Sequence, residues 1–489
     1  MDSRMRAGAA PRLVLPLLAA AQLVLAVDYS IVNTALPSIG TALHFSTDGL
    51  QWVISAYALT FGGFLLFGGR AADLLGRRRM FLLALALFGG ASMVGGLSQS
   101  AGMLVAARAG QGVAGALLFP ATLSLITTLF PAGPARNRAL GLWGAAGASG
   151  LALGVLAGSV LTGTLGWRAV FYVNVPIVLT LLVGGWVLLP RLPRPASGHY
   201  DLLGALLVTA GMGLSVLALA QAPVAGWAAP AVLGPGLLGA LLLGAFVLQE
   251  RRAPAPLLPL GLLRGRGLRL GVVTGAVFGA AFAVQFFFLT LYLQRGLGES
   301  PLAAGLSFLP LAVSIGIGAR VAGRLVTRVG AMGTLATGLL VGALGLGLYV
   351  PLTIAGAGAG LLPAEVVTGL GQGVVFTSVF IAAGHDAPAR SQGVASATAS
   401  TAQQIGAAVG LALLVGLLNW RAAALGGAAT GLSARQPHIL AAALPTVFLA
   451  QAGLALVMAL ALWATLARRG LRARRARLAD AIDGVEACA

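Results

Sequence analysis

Asp28 and Glu365 are the two acids, and Arg108 the one basic residue, that fall inside stretches apolar enough to cross a membrane. A charge placed in hydrocarbon costs about 2.5–3.5 kcal/mol on insertion scales, so such residues mark ion or proton pathways or pair with one another. A guanidinium in a dry cavity lowers the proton affinity of a nearby carboxyl and desolvation raises it, so moving an Asp relative to an Arg switches whether the carboxyl holds a proton. Asp28 is therefore the leading proton site and Arg108 its partner, and the alternative is a fixed ion pair that only holds helices together. Glu365 either attracts a cationic ligand or complements the dipole of its own helix N-terminus. Gln285 among Phe282, Phe286, Phe287 and Phe288 suggests an aromatic wall with a polar handle, with Asn33, Gln111 and Gln372 as further polar groups of a substrate cavity. Asn33 serves equally well as packing glue, and the aromatic run equally well as a lipid-facing surface.

Other chemistries lack their residues. His44, His199, His385 and His438 all fall in loops, no glycine-lysine ATP loop occurs, and Cys488 is the single cysteine. No enzyme constellation, cofactor, metal site or disulfide framework is expected.

The elements that must carry these residues follow from composition. Of 489 residues, 58% are hydrophobic and 9% charged, against about 25% charged in a soluble domain. Stretches of roughly 20 apolar residues, enough to cross a bilayer, begin near Leu13, Leu50, Met80, Met103, Ala139, Ala169, Leu202, Ala231, Leu270, Leu302, Met332, Leu361, Val394 and Leu444. That predicts an all-α membrane protein of fourteen spans. Twelve is the fallback, because Gly and Pro interrupt the pair at Leu202 and Ala231.

A net charge of +19 at pI 11.7 would suggest nucleic acid in a soluble chain. Here topology explains it. With both termini cytoplasmic, 26 of the 31 Arg fall on the cytoplasmic side, only Arg168, Arg295, Arg421 and Arg435 on the other, and Arg108 within a span. This is the positive-inside rule, and no nucleic-acid partner is needed. The Arg-rich tail after Ala467 is read as a stop-transfer flank beside the bilayer.

The chain also repeats itself. Gly69, Arg70, Asp73 and Gly76 match Gly323, Arg324, Thr327 and Gly330 at an offset of 254. Gly110-Gln111-Gly112-Val113 matches Gly371-Gln372-Gly373-Val374, and Arg138 with Gly141 matches Arg390 with Gly393. Each match maps span n onto span n+8. Two six-helix bundles are therefore expected, in residues 1–190 and 267–467, with linkers and two inserted helices in 191–266 and a cytoplasmic tail in 468–489. Parallel repeats facing across a cavity are the plan of alternating-access transporters.

Four motifs carry a resemblance. They are Gly69-Arg70-Ala71-Ala72-Asp73-Leu74-Leu75-Gly76-Arg77-Arg78-Arg79, the run Val27-Asp28-Tyr29-Ser30-Ile31-Val32-Asn33-Thr34-Ala35-Leu36-Pro37, Arg108 through Gly115, and Gly150, Gly154 and Gly158 at every fourth position. On these the chain resembles the fourteen-helix drug:proton antiporters of the major facilitator superfamily. The resemblance implies proton-coupled efflux of drugs, antibiotics or dyes, action as a monomer, and proton coupling by Asp28 and Arg108. It makes Gly69, Arg70, Asp73, Gly76, Arg77, Gly150, Gly154 and Gly158 the gating residues. Val155 and Ser159 depart from the antiporter pattern, where a Pro and a Gly are expected. Export of one endogenous metabolite on the same fold is the alternative. The Arg-only, Ala- and Gly-rich composition suggests a bacterial inner membrane.

Overall fold

The computed structural model describes residues 3–45, 47–50, 52–191, 201–254, 256–354, 359–388, 391–426 and 437–486. Arg194, His199, Arg390, Arg435 and Cys488 lie outside them. Within a bilayer each backbone N–H must be satisfied inside its own segment, and apolar sequence of this length meets that demand as helix. The long helices are α1 (Ser3–Ala42), α2 (Trp52–Leu75), α3 (Arg77–Gly96), α4 (Ala101–Leu129), α5 (Pro134–Leu165) and α6 (Asn174–Leu188). They continue as α7 (Leu202–Ala225), α8 (Pro230–Arg252), α9 (Arg266–Gln294), α10 (Leu309–Ile354), α11 (Leu362–His385), α12 (Gln392–Ala424) and α13 (Pro437–Glu486).

Among the described residues, 11 helices are long and apolar enough to cross a membrane. This is fewer than the expected fourteen for identifiable reasons. The segment 303–351 counts as one helix of 49 residues although Gly330, at φ 76°, breaks its helical path. In α5 and α7 only the shorter pieces Leu153–Leu165 and Leu203–Leu219 stand out as apolar.

The duplication read in the sequence recurs in the backbone. Gly76 and Gly330 both adopt positive φ, 96° and 76°, a conformation that a residue with a Cβ rarely takes. Gly150, Gly154 and Gly158 seat α5 on α1 so closely that a Cβ at Gly154 would stand 2.6 Å from the Val27 carbonyl. On the other side, Gly406 and Gly410 seat α12 on Ala276 and Ala280 of α9 in the same manner. Small residues let the helix backbones touch, which is how membrane helices pack where no hydrophobic drive exists between them.

The inserted pair is not peripheral. α7 lies against α2 at Gly63 and Thr209, and one buried cluster joins Leu66, Val208, Met212, Phe246, Leu257 and Leu258 to Val394 and Ala397 of α12. The Glu250 carboxylate accepts hydrogen bonds from the backbone N–H groups of Leu257 and Leu258, both at 3.0 Å, and so folds the connection after α8 back against this cluster.

Candidate functional site

Asp28 of α1 and Arg108 of α4 meet in the interior of the protein. They form an ion pair at 2.8 Å with both side chains buried. Arg108 Nη1 donates to Asp28 Oδ2 and to Gln111 Oε1, each at 2.8 Å, while its Nε donates to the Val53 carbonyl at 2.9 Å. The other carboxylate oxygen accepts from Gln111 Nε2 at 2.9 Å and from Asn174 Nδ2 at 2.8 Å. Gln111 also donates to Ser92 Oγ, and the guanidinium lies 4.4 Å from the centre of the Tyr57 ring. Five helices, α1, α2, α3, α4 and α6, thus converge on one carboxylate and one guanidinium. The burial is tolerable because Asp28 receives three donors and the opposite charge stands in contact.

Asn33 lies one turn beyond Tyr29 on α1 and is exposed; it donates to the Tyr29 carbonyl of its own helix at 3.1 Å and stands apart from the cluster. Tyr29 is likewise exposed and tilts against Tyr57 at 6.0 Å.

At the end that carries the Arg-rich loops α2 is clamped to α12. Asp73 accepts from the backbone N–H of Gly393 at 3.2 Å and of Val394 at 3.1 Å, at the N-terminus of α12, where the helix dipole favours an anion. Ser124 Oγ donates to the same carboxylate at 3.4 Å, Arg77 approaches it at 3.6 Å, and Arg77 also donates to Thr128. Gly69 permits the approach, since a Cβ there would stand 2.6 Å from the Gly393 carbonyl. Arg70 is half-buried beside the inserted pair, lining a crevice with Phe67, Asp201 and Leu257. The duplicated motif makes an uncharged version of this clamp: Asn137 Nδ2, at the start of α5, donates to Thr327 Oγ1 at 3.2 Å.

Next to the clamps an aromatic cluster fills the seam. Trp143 stacks on Phe376 at 6.0 Å and meets Phe380 edge-on at 5.7 Å, and Phe119 meets Phe380 at 5.6 Å. Phe119 belongs to α4, Trp143 to α5 and the other two rings to α11, so these contacts pack the N-terminal helices against α11 at this end.

The remaining residues expected to line a cavity lie on the C-terminal helices, away from Asp28. Gln285 and Glu365 are buried, Gln372 Nε2 donates to the Phe282 carbonyl at 3.4 Å, and Phe286 is half-buried against Phe308 at 5.6 Å. Phe282 and Phe288 are fully buried whereas Phe287 is exposed, so the aromatic run is split between core and surface.

Comparison with known proteins agrees with this architecture. The family model described as the Major Facilitator Superfamily matches residues 18–411. The chain belongs to the major facilitator superfamily. Among similar proteins, the puromycin resistance protein pur8 of Streptomyces alboniger is 40% identical over 81% of this chain and 79% of its own length. The cephamycin export protein CmcT of Amycolatopsis lactamdurans is 42% identical over 65% of this chain and 66% of its own. The crystal structure of the human organic anion transporter MFSD10 superposes with a TM-score of 0.63 at 16% identity, covering 92% of this chain and 99% of that one, a likeness of fold.

In this facilitator, sequence reasoning missed Ser92 and Asn174 as carboxylate-network partners, Asn137 as a clamp, and the Trp143 cluster. Trp143 gave no signal of its own, since it falls in the first turn of the span beginning near Ala139, close to the interface that Trp favours.

Proposed function

We propose that this multi-pass facilitator exports hydrophobic or cationic small molecules, drugs and antibiotics among them, by proton-coupled alternating access. The observation that carries the reading is the buried Asp28–Arg108 pair with Gln111 and Asn174 on the same carboxylate. A proton arriving at Asp28 neutralises the group that one guanidinium and two amides were holding, so α1, α4 and α6 must rearrange around it. That rearrangement couples proton entry to bundle movement. One charge moved down the membrane potential provides about 2.3 kcal/mol per 100 mV, enough for a roughly forty-fold substrate gradient.

Counting α5 and α7 as crossings and α10 as two, split at Gly330, gives fourteen spans, with both termini at the Arg-rich cytoplasmic face. The bundles as drawn at 1–190 and 267–467 then surround one path, closed here at the cytoplasmic end by Asp73 and the Trp143 cluster. A second reading, export of a single metabolite made by the cell itself, is favoured by the named role of CmcT as an export protein. Substrate-dependent proton flux in proteoliposomes, measured with a panel of dyes, antibiotics and metabolites, tests both. A broad response supports multidrug export, a response to one compound supports the alternative, and absence of proton flux with any exported compound rejects coupling.

Asp73 acts on the conformational equilibrium under this reading. A partly buried charge at a helix terminus is worth up to about 2 kcal/mol, so Asp73→Asn should shift the ratio of closed to open states roughly tenfold or more. Turnover is expected to fall several-fold while substrate affinity, read by fluorescence anisotropy in detergent, stays within about threefold. A large loss of affinity with normal exchange contradicts the assignment.

A further inference from the structure

Glu365 lies in the first turn of α11, which begins at Leu362, and is 2% exposed. Its Oε1 is buried and has no hydrogen-bond partner. It makes no ion pair among the described residues, unlike Asp28. Among the described residues the helices around it offer no counter-charge: α9 from Leu270 to Gln294, α10 beyond Gly330, α11 up to Gly384 and α13 between Ile439 and Ala467 contain no Arg, Lys or His, while the side chain of Arg295, next after α9, lies outside the described residues. Among the described residues, the titratable groups that face it are Tyr349 of α10, whose hydroxyl lies beside Gln285 and Thr368, and Glu299 in the segment after α9. Tyr349 is pinned from the far side by Phe448 of α13, stacked at 5.0 Å. Glu299 is itself a carboxyl, with a buried Oε2 that has no hydrogen-bond partner.

A helix N-terminus favours an anion, but that contribution is a small fraction of the cost of burying an unpaired carboxylate, and a second carboxyl nearby opposes ionisation further. The two membrane-embedded acids therefore sit in opposite settings: Asp28 accepts hydrogen bonds from Arg108 and two amides, and Glu365 has no such group among the described residues. We infer that Glu365 is a second proton-binding site, located in the C-terminal bundle and occupied in the conformation closed at the Arg-rich end. The proton binds a carboxylate oxygen of Glu365 and leaves when bundle movement admits water or a cationic ligand beside it. No bond other than O–H forms or breaks. The inference rests on the proton-coupled reading above, and it replaces the ligand-attracting or dipole-complementing role expected for Glu365 with that of a proton carrier.

Infrared spectroscopy of the purified protein at neutral pH tests it independently of transport. A protonated carboxyl has a C=O stretch separate from the carboxylate bands, and Glu365→Gln, an uncharged isostere, should remove one such band while Asp28→Asn should not. In the wild-type protein this band should disappear as pH is raised. Glu299→Gln should move that disappearance to lower pH, because the neighbouring negative charge is gone; a purely structural Glu365 would leave the profile unmoved. In proteoliposomes, Glu365→Gln should still export but move fewer protons per substrate. A band pattern unchanged by Glu365→Gln means that Glu365 is ionised, and overturns the inference even if export is proton-driven. If the wild-type protein moves no protons while the Glu365 band is present, the coupling reading fails and the proton site stands. If Glu365→Gln does not fold, the wild-type pH profile against that of Glu299→Gln still decides.

Discussion

Asp28→Asn is expected to abolish uphill export and to lower stability at the same time. Removing one partner of a buried ion pair leaves the other charge uncompensated, at a cost of about 3–5 kcal/mol; here the stranded group is Arg108, only 1% exposed. Arg108→Gln should destabilise by a similar amount, stranding the carboxylate instead. The double replacement removes both charges and keeps hydrogen-bonding groups at both positions, so it should recover most of the lost stability, seen as thermal unfolding in detergent, while uphill export stays absent. Together these three variants separate two roles that the pair combines. If the double variant exports a dye against a gradient with wild-type proton dependence, Asp28 does not couple. If it fails to regain stability, the pair is less isolated in its bundle than its hydrogen bonds imply.

The second large effect belongs to Gly154. A Cβ there would stand 2.6 Å from the Val27 carbonyl and also run into the Ser30 hydroxyl, so Gly154→Leu must push α5 off α1. Overpacking of a tight contact costs about 1–3 kcal/mol or more, and here it displaces the helix that bears Asp28. Export is expected to fall below about a tenth of wild type, the ratio that a barrier or population change of 1.4 kcal/mol produces. Gly163→Leu, on the same helix with open space around the glycine, is the control and should export normally. Equal losses in both variants would assign the effect to helix propensity rather than to the α1–α5 contact.

Much of this was already written in the residue order. Apolar length and the Arg distribution call for a membrane protein of many spans, because hydrocarbon thickness and the cost of a buried charge act on any chain alike. Asp28 and Arg108 stand out singly, as charges where charges are expensive, and the Gly69 to Gly76 spacing repeats at Gly323 to Gly330 because both loops must turn at a positive-φ glycine. A further match, Gly154 and Gly158 with Gly406 and Gly410, was legible at the offset already set by Gly141 and Gly393, yet a Gly-rich sequence hides it until the contacts of α12 with α9 are known.

What only the tertiary structure decided is partnership. Asn174 lies 146 residues from Asp28 and Val394 lies 321 from Asp73, and nothing in local sequence records which helix faces will meet. The same holds for Trp143 with Phe376, and for the inserted helices, which touch both bundles. Glu365 shows the limit most clearly. Its type and span mark it as costly wherever it sits, but whether that cost is met by a guanidinium, by water or by a proton depends on neighbours drawn from α9, α10 and α13, and only the fold brings those together.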